Sequence, residues 1–451
     1  MEKSLSECLN HAWIHNLKLS EHFNKAIIFT KGKGSRLWDI KGKEYLDATS
    51  AVFNVNIGYG DLRVIEAIKK QLEKLSFCSP YMSSDSTLEF LKELIKMAPN
   101  FKRVFLTSSG SDATETAIKM AKQYYYLKGK EKYRIIGRWI SYHGDTLGAL
   151  SASGIPNWRK PFESLLLNFP HIAPAYCYRC WFGKEPNNCA LKCALDLEKW
   201  IRIEGEDSIS AFIAEPIVAG AGGALTPPRD YFKIIREICD KYDILLVFDE
   251  VVTGFGRTGK TFAFEHFGVE PDLMVFGKGA TSGYAPLGGV FVSKKVSEVF
   301  EEAELNFVNA FTYGHSPSAS SAGLEVLRIL REERLVERVD SMGKYLFNRL
   351  KELERYKMVG EIRGKGFFVG IELVEDKATR KIFPDDREVG KFIEKYALDK
   401  GILIFGRKGA DAGLISDFLT FAPIFISTKE ELDRIVDTIE EGIRLAEEKF
   451  L

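Results

Sequence analysis

The chain has 451 residues, 63 Lys+Arg against 63 Asp+Glu, no formal net charge, 45% apolar residues and 28% charged ones. That balance excludes a nucleic-acid binder working by phosphate neutralisation, which carries a clustered basic excess, and an acidic disordered chain. The composition suits a soluble globular protein of two or three domains, or one large domain with an appendage, whose partner is a small molecule.

Read in chain order, the opening segment from Met1 to His22 mixes charged and polar residues and lacks a signal-peptide core. No apolar run reaches the roughly 18 residues of a membrane span. Seven cysteines, an odd number with Cys8, Cys78 and Cys239 in unrelated contexts, suit a cytoplasmic protein with reduced thiols. From about residue 101 to 293, short apolar runs alternate with helical patterns. The expected strands are Arg103-Val-Phe-Leu-Thr107, Arg134-Ile-Ile-Gly137, Ile209-Ser-Ala-Phe-Ile-Ala214, Asp243-Ile-Leu-Leu-Val-Phe248, Asp272-Leu-Met-Val-Phe276 and Gly289-Val-Phe-Val292. Continuous apolar runs read as strands buried on both faces, and the helices between them imply parallel crossovers. The fold class is α/β, a mostly parallel sheet flanked by helices.

Beyond this, Ser316 to Glu354 is a long amphipathic stretch, with Leu324, Leu327, Leu330, Leu335 and Val339 at helical spacings. Two strand-like runs follow, Gly366 to Leu373 and Phe418 to Ile426, and a charged helix from Lys429 to Lys449 closes the chain. These parts read as a smaller α+β domain. The expected division is 1–70 as an N-terminal segment of the small domain, 71–325 as the large sheet domain and 326–451 as the C-terminal small domain.

Polar residues stand just past the expected strands: Glu215 after Ile-Ala, Asp249 after Val-Phe and Lys278 after Val-Phe-Gly. Open parallel sheets bind ligands outside the carboxyl ends of their strands, so these three should converge on one crevice. A lone one would be an ordinary cap or surface charge. Ser108-Ser-Gly-Ser-Asp112 follows the strand ending at Thr107 and opens a helical run from Ala113 to Tyr126. Its glycine allows close backbone approach, and a helix N-terminus favours an anion. Ser109-x-x-Asp112 also reads as a capping box.

A lysine, an acid, a phosphate cradle and an aromatic loop, Tyr142-His143-Gly144, together suggest pyridoxal 5′-phosphate. That cofactor needs an amine for a Schiff base and an acid to keep its ring nitrogen protonated. Lys278 lies between Gly277 and Gly279 behind an apolar strand. Partial burial there lowers an amine's pKa and supplies the neutral form that attacks an aldehyde. A competing motif is Gly254-Phe-Gly-Arg-Thr-Gly-Lys-Thr261, which matches the P-loop pattern of nucleotide hydrolases. A P-loop leaves its strand directly and runs into a substantial helix. Here Asp249-Glu-Val-Val-Thr253 intervenes, and Pro271 follows ten residues after Thr261. The context argues against the hydrolase.

Asp249-Glu-Val-Val-Thr-Gly-Phe-Gly-Arg-Thr-Gly259 with Pro271-Asp-Leu-Met-Val-Phe-Gly-Lys-Gly279 resembles the signature of class III pyridoxal-phosphate aminotransferases. These are the ω-amino acid and amine transaminases. The resemblance runs nearly end to end, through Gly42-Lys-Glu-Tyr-Leu-Asp47, Ser109-Gly-Ser-Asp-Ala-Thr-Glu115, Tyr142-His-Gly144, Ala214-Glu-Pro216 and Phe311-Thr-Tyr-Gly-His315. Tyr176-Cys-Tyr-Arg-Cys180 is similar to the taurine- or β-alanine–pyruvate-like branch.

The resemblance implies the fold-type-I architecture of pyridoxal-phosphate enzymes, with the cofactor on Lys278 and its ring nitrogen on Asp249. It places Val251 and Tyr142 on the two ring faces, Gly110 and Ser111 on the phosphate, and His143 in the same cofactor-binding set. Glu215 resembles an acid that gates substrate carboxylates. Thr312 resembles a residue reaching the phosphate of a neighbouring subunit, which implies a homodimer or higher homo-oligomer. The implied reaction is a ping-pong transfer from an ω-amino acid or amine to a keto acid such as pyruvate, with Lys278 moving the proton. Racemases and aminomutases share the scaffold and stay open as alternatives.

Departures from the family pattern bear on the substrate. Asp112 replaces a customary Glu. Phe405 stands where ω-transaminases commonly carry a carboxylate-clamping arginine, and Arg407 follows two residues later, before the insertion-like Lys408-Gly-Ala-Asp-Ala-Gly413. Arg407 is therefore a candidate clamp or a surface arginine. Phe53 takes the place of a substrate-pocket Trp and is a candidate pocket wall or a core aromatic. Cys177, Cys180, Cys189 and Cys193 have spacings that suit a zinc site, disulfides or free thiols, and the site-residue reading assigns no metal.

Overall fold

The computed structural model describes residues 8–21, 26–384, 386–407 and 415–451. An N-terminal sheet begins with β1 (Phe29–Lys33), β2 (Arg36–Asp39) and β3 (Glu44–Asp47). A central seven-stranded sheet follows from β4 (Phe101–Thr107), β5 (Arg134–Arg138), β6 (His171–Ile172), β7 (Ile209–Ala214), β8 (Leu245–Asp249), β9 (Leu273–Phe276) and β10 (Gly288–Ser293). Downstream come β11 (Val359–Lys365), β12 (Phe368–Leu373), β13 (Ile402–Leu403), β14 (Phe405–Arg407) and β15 (Phe418–Phe421). β13 joins β3 in parallel, and the other four make a third sheet in the order β11-β12-β15-β14.

The apolar runs of the central sheet follow from its two covered faces. Side chains alternate across a strand. Phe212, Leu246, Phe248, Met274 and Phe276 enter one core with Tyr231, Phe232, Ile235 and Ile238 of the helix Tyr231–Lys241. Ala211, Ile213, Leu245, Val247, Leu273 and Val275 enter a second core with Ala113, Ala117, Ala121 and Tyr124 of the helix Gly110–Leu127. The pleat then turns Asp249, the last residue of β8, to the face carrying the helix Gly110–Leu127.

Strand direction places the polar residues. The sheet order is β4-β10-β9-β8-β7-β5-β6; the last five are mutually parallel, and β10 is antiparallel to both β9 and β4. β4 therefore runs with the majority, and six carboxyl ends share one edge. The sheet is mostly parallel as expected, and among the described strands of this sheet the implied parallel crossover is missing only at β10. Its 277–287 connection is shorter than the dozen or more residues such a crossover takes. The amphipathic stretch from Ser316 to Glu354 forms two helices, Pro317–Glu332 and Leu335–Leu350, broken at Arg334 with φ +50°.

One local conformation escapes sequence pattern entirely. Ser50, Ala51, Val52 and Phe53 have φ of +47°, +46°, +64° and +63°, a turn of left-handed helix without a glycine. Phe53 N donates to Thr49 O at 2.8 Å and Asn54 N to Ser50 O at 2.7 Å. Such a conformation costs about 1–2 kcal/mol per L-residue. Asp47, buried at the end of β3, offsets it by accepting from Thr49 N (2.8 Å), Thr49 Oγ1 (2.7 Å), Ala51 N (2.9 Å) and Tyr59 Oη (2.6 Å). The turn drives Phe53 inward while Val52 stays 53% exposed. Val52→Gly should therefore raise the apparent melting temperature, by relief of about 1 kcal/mol of backbone strain. A lower melting temperature would show that the Val52 side chain contributes more than its strain costs.

Candidate active site

Three acidic or basic side chains leave adjacent strands at the shared edge. β7 and β8 pair Ala214 with Phe248, which sets Glu215 beside Asp249, and Lys278 lies two residues beyond the end of β9. Glu215 and Asp249 are each only 4% exposed. Asp249 Oδ2 meets His143 Nδ1 at 2.8 Å, and Oδ1 accepts from Val251 N at 3.0 Å. With the carboxylate as acceptor, Nδ1 is the protonated ring nitrogen. His143 is itself fixed through Ser153 Oγ, which accepts from His143 N at 2.8 Å, and through Thr114 Oγ1, which donates to its carbonyl at 2.8 Å.

Glu215 accepts from Tyr142 N at 3.0 Å and from Ala219 N at 2.7 Å. Burial pushes its carboxyl up to about 7, with Asp249 adding to the rise against the opposing pull of His143 and both backbone donors. Tyr142 donates from Oη to Asp145 Oδ2 at 3.0 Å and packs edge-on against Trp158 at 5.3 Å between ring centroids. Burial raises its phenol pKa, helped by Asp145.

Lys278 sits in a short turn at φ +37°, a backbone state that only surrounding structure sustains. Its side chain is partly buried, with Nζ 5.6 Å from the Phe53 ring centroid. Burial lowers its pKa to about 8; Arg257 adds to the fall, while Asp249 and Glu215 oppose it through space. At neutral pH a useful fraction of this amine is uncharged.

The helix Gly110–Leu127 presents its N-terminus at the end of β4. Ser109 caps it, its Oγ accepting from Asp112 N at 3.2 Å, which leaves the N–H groups of Gly110 and Ser111 outside the helical ladder. A Cβ on Gly110 would lie 3.0 Å from Val251 Cγ1, and one on Gly144, at φ +134°, would lie 2.5 Å from Ser111 Oγ. Both glycines allow a close approach that any side chain would block. The arrangement offers an anion site, an apolar wall at Val251, a buried acid and a nucleophilic amine around one crevice.

The structure thus brings together Lys278, Asp249, Glu215, Tyr142, His143, Val251, Gly110 and Ser111, with Phe53 against the amine. Phe53 is a buried aromatic that also faces the site. Its ring meets Phe405 at 5.5 Å and Phe368 at 5.4 Å, and the Arg407 guanidinium lies 5.4 Å from the Phe405 ring centroid. Arg407 is partly buried, which lowers its pKa against the pull of Glu394, so it is no freely exposed surface arginine. Thr312 is exposed in the turn that includes Gly314. Residues Lys408 to Gly413 lie outside the described residues.

Two features were not anticipated. The His143–Asp249 pair joins residues 106 positions apart, with no local pattern to signal it. Arg257, inside the P-loop-like motif, is fully buried and belongs to the site's charge environment. That motif forms turns followed only by the 3-10 turn Ala263–His266, and Lys260 is exposed, so it builds no P-loop. Cys177, Cys180, Cys189 and Cys193 line one cavity of about 20 Å³ as free thiols. Among the described residues no three His, Cys, Asp or Glu side chains stand where they could hold a metal ion.

A family model described as aminotransferase class-III matches residues 19–443. The taurine–pyruvate aminotransferase of Bilophila wadsworthia is 38% identical over 447 residues, covering 98% of this chain and 96% of that protein. The putrescine–pyruvate aminotransferase of Pseudomonas aeruginosa is 38% identical over 403 residues, covering 88% and 87%. Among solved structures, a transaminase from a marine Virgibacillus superposes with a TM-score of 0.93 at 34% identity, covering 99% of both chains. A thermostable (S)-enantioselective omega-transaminase from Thermomicrobium roseum gives 0.92 at 34%, covering 99% and 98%.

The depressed amine carries a stability consequence. Lys278 binds its proton less tightly folded than unfolded, so protonation penalises the fold. The penalty is fully present below about pH 8 and vanishes above the ordinary lysine value of 10.5. Lys278→Met should melt above the wild-type protein at pH 7, with the gap closing towards pH 10. A gap independent of pH would refute the depressed amine.

Proposed function

This chain belongs to the class-III aminotransferases, and from that premise we propose that it moves an amino group from an ω-amino acid or amine to pyruvate or another small keto acid, with pyridoxal 5′-phosphate at the crevice. The observation that carries the reading is the Lys278 amine, poised near neutrality and sharing its crevice with Asp249 and Glu215. The names of the taurine–pyruvate and putrescine–pyruvate relatives support the substrate class.

The residues fit this cofactor. Gly110 and Ser111 offer a helix N-terminus to a phosphate, and a Cβ at Gly110 would fill the cradle beside Val251. His143 Nε2 is buried with no hydrogen-bond partner among the described residues, which suits a polar group entering the crevice. When bound, pyridoxal 5′-phosphate supplies an aldehyde and an electron-withdrawing ring. Lys278 would bind it through Nζ, and Asp249 would hold a proton on the ring nitrogen while His143 orients the carboxylate. Val251 and Tyr142 would flank the ring. Lys278 Nζ would also serve as base and then acid for the proton on the substrate carbon. Phe53 and Phe405 wall the amine side, and Arg407 beyond Phe405 offers a cation to a substrate carboxylate. Glu215 would act as the gate for such carboxylates.

We place the minimum functional unit at a homodimer, with Thr312 reaching the neighbouring subunit's phosphate site. Supporting it, Tyr313 (65% exposed), Tyr81 (86%) and Met82 (69%) form an apolar surface, with Phe77 and Tyr313 in edge contact at 6.1 Å. The odd number of cysteines, seven, supports a cytoplasmic location. The domain division at 70 and 325 remains our reading of the chain, supported by the β3–β13 pairing of its two ends.

Alanine formation from pyruvate with a panel of amines, including taurine, putrescine and β-alanine, tests the assignment. Lys278→Ala should lose at least about 10³-fold in rate, the scale of a positioned acid–base group. Turnover of an amino acid without any keto acid would instead favour a racemase or an aminomutase.

A further inference from the structure

Arg257 is a buried cation with no acid hydrogen-bonded to it among the described residues. It is 0% exposed, and its guanidinium donates from Nη1 to Pro423 O at 2.7 Å and Phe367 O at 3.3 Å, and from Nη2 to Asn56 Oδ1 at 2.6 Å. Its carbon lies 4.7 Å from the Phe425 ring centroid, and its Nε has no partner among the described residues. All these acceptors are neutral. A buried charge with no acid hydrogen-bonded to it is costly, and a chain seeking only stability would pair it closely or replace it.

The contacts lead to the lysine turn. Asn56, fixed by Arg257, stands 2.5 Å from where a Cβ on Gly279 would be. Asn56 N and Ile57 N donate to Ser282 Oγ at 2.8 and 3.0 Å, and Ser282 N donates to Lys278 O at 3.1 Å. Arg257 thus backs the strained 278–282 turn through one intermediary side chain. We infer that Arg257 is a positioning residue for Lys278, which fixes the lysine turn through Asn56 and sets a buried positive charge behind it.

The charged groups around the amine come from several elements. Asp249 at the end of β8 and Glu215 past β7 favour the ammonium, and His143 faces both acids. Arg257 opposes them, and Asp47 at the end of β3 is the acid that acts on Arg257 through space. Burial lowers Arg257 itself to about 9, which leaves it cationic at neutral pH. The inference rests on the reading of Lys278 as the reactive amine.

Competitive acetylation of the cofactor-free protein with acetic anhydride across pH 6–11, read by peptide mass spectrometry, reports the Lys278 midpoint directly, with exposed lysines as internal standards. The wild-type midpoint is expected near pH 8. Arg257→Lys, which keeps the charge, should leave it in place, whereas Arg257→Gln, which removes a positive charge, should raise it. Equal shifts in both variants, or none in either, would overturn the inference. If Arg257→Gln does not fold, Asn56→Asp sets a carboxylate against the same guanidinium and should raise the midpoint; an unchanged midpoint there would overturn it. Amine transfer surviving in Lys278→Ala would defeat the reading of Lys278 while leaving the labelling result to judge Arg257.

Discussion

Ionised groups withdrawn from water cost several kcal/mol each unless neighbours compensate them, and this crevice gathers Asp249, Glu215, His143, Lys278 and Arg257. The fold can bear that because six of the seven central strands end on one edge. Peptide donors converge there: Glu215 takes two backbone N–H groups and Asp249 takes one besides His143. The carboxylates are thus satisfied without any ion pair to Lys278. The amine is left free to sit near its titration point, which is the state covalent capture of an aldehyde requires.

The same constraint explains the contributions of the chain ends. The left-handed turn at 50–53 stores strain that Asp47 compensates, and it delivers Phe53 to the amine. The C-terminal sheet delivers Phe405 and Arg407 to the far side of that ring. A buried cluster fastens that sheet to the central one. Arg363 bonds Glu372 and donates to Gly222 O and Gly223 O, each at 2.8 Å, and Glu372 also accepts from Tyr176 and Arg179. This side of the crevice therefore depends on parts of the chain more than 350 residues apart, such as Phe53 and Phe405.

Much of this was legible in the sequence, for stated physical reasons. Strands covered on both faces must be apolar throughout, so β7, β8 and β9 stood out with their borders correct to within two residues. Polar residues directly after such runs have few alternatives to a crevice, and Lys278, Asp249 and Glu215 do meet there. What was hidden depends on tertiary context. The reversal of β10 is set by a connection too short for a crossover, not by its own composition. Ala51 and Val52 adopt a conformation their residue types disfavour, so propensity points away from it. The His143–Asp249 pair and the burial of Arg257 exist only once distant segments pack. The four clustered cysteines had spacings compatible with several chemistries, and the fold gathers them, with no disulfide among them, around a cavity with room for one water.

The central claim is that this edge of the sheet captures pyridoxal 5′-phosphate on one lysine out of many. Incubating the purified protein with the cofactor, reducing with borohydride and mapping the phosphopyridoxyl label by mass spectrometry tests it most directly. The account predicts one label per chain, on the peptide carrying Lys278. A label on Lys260 or scattered over surface lysines, or none at all, would contradict it.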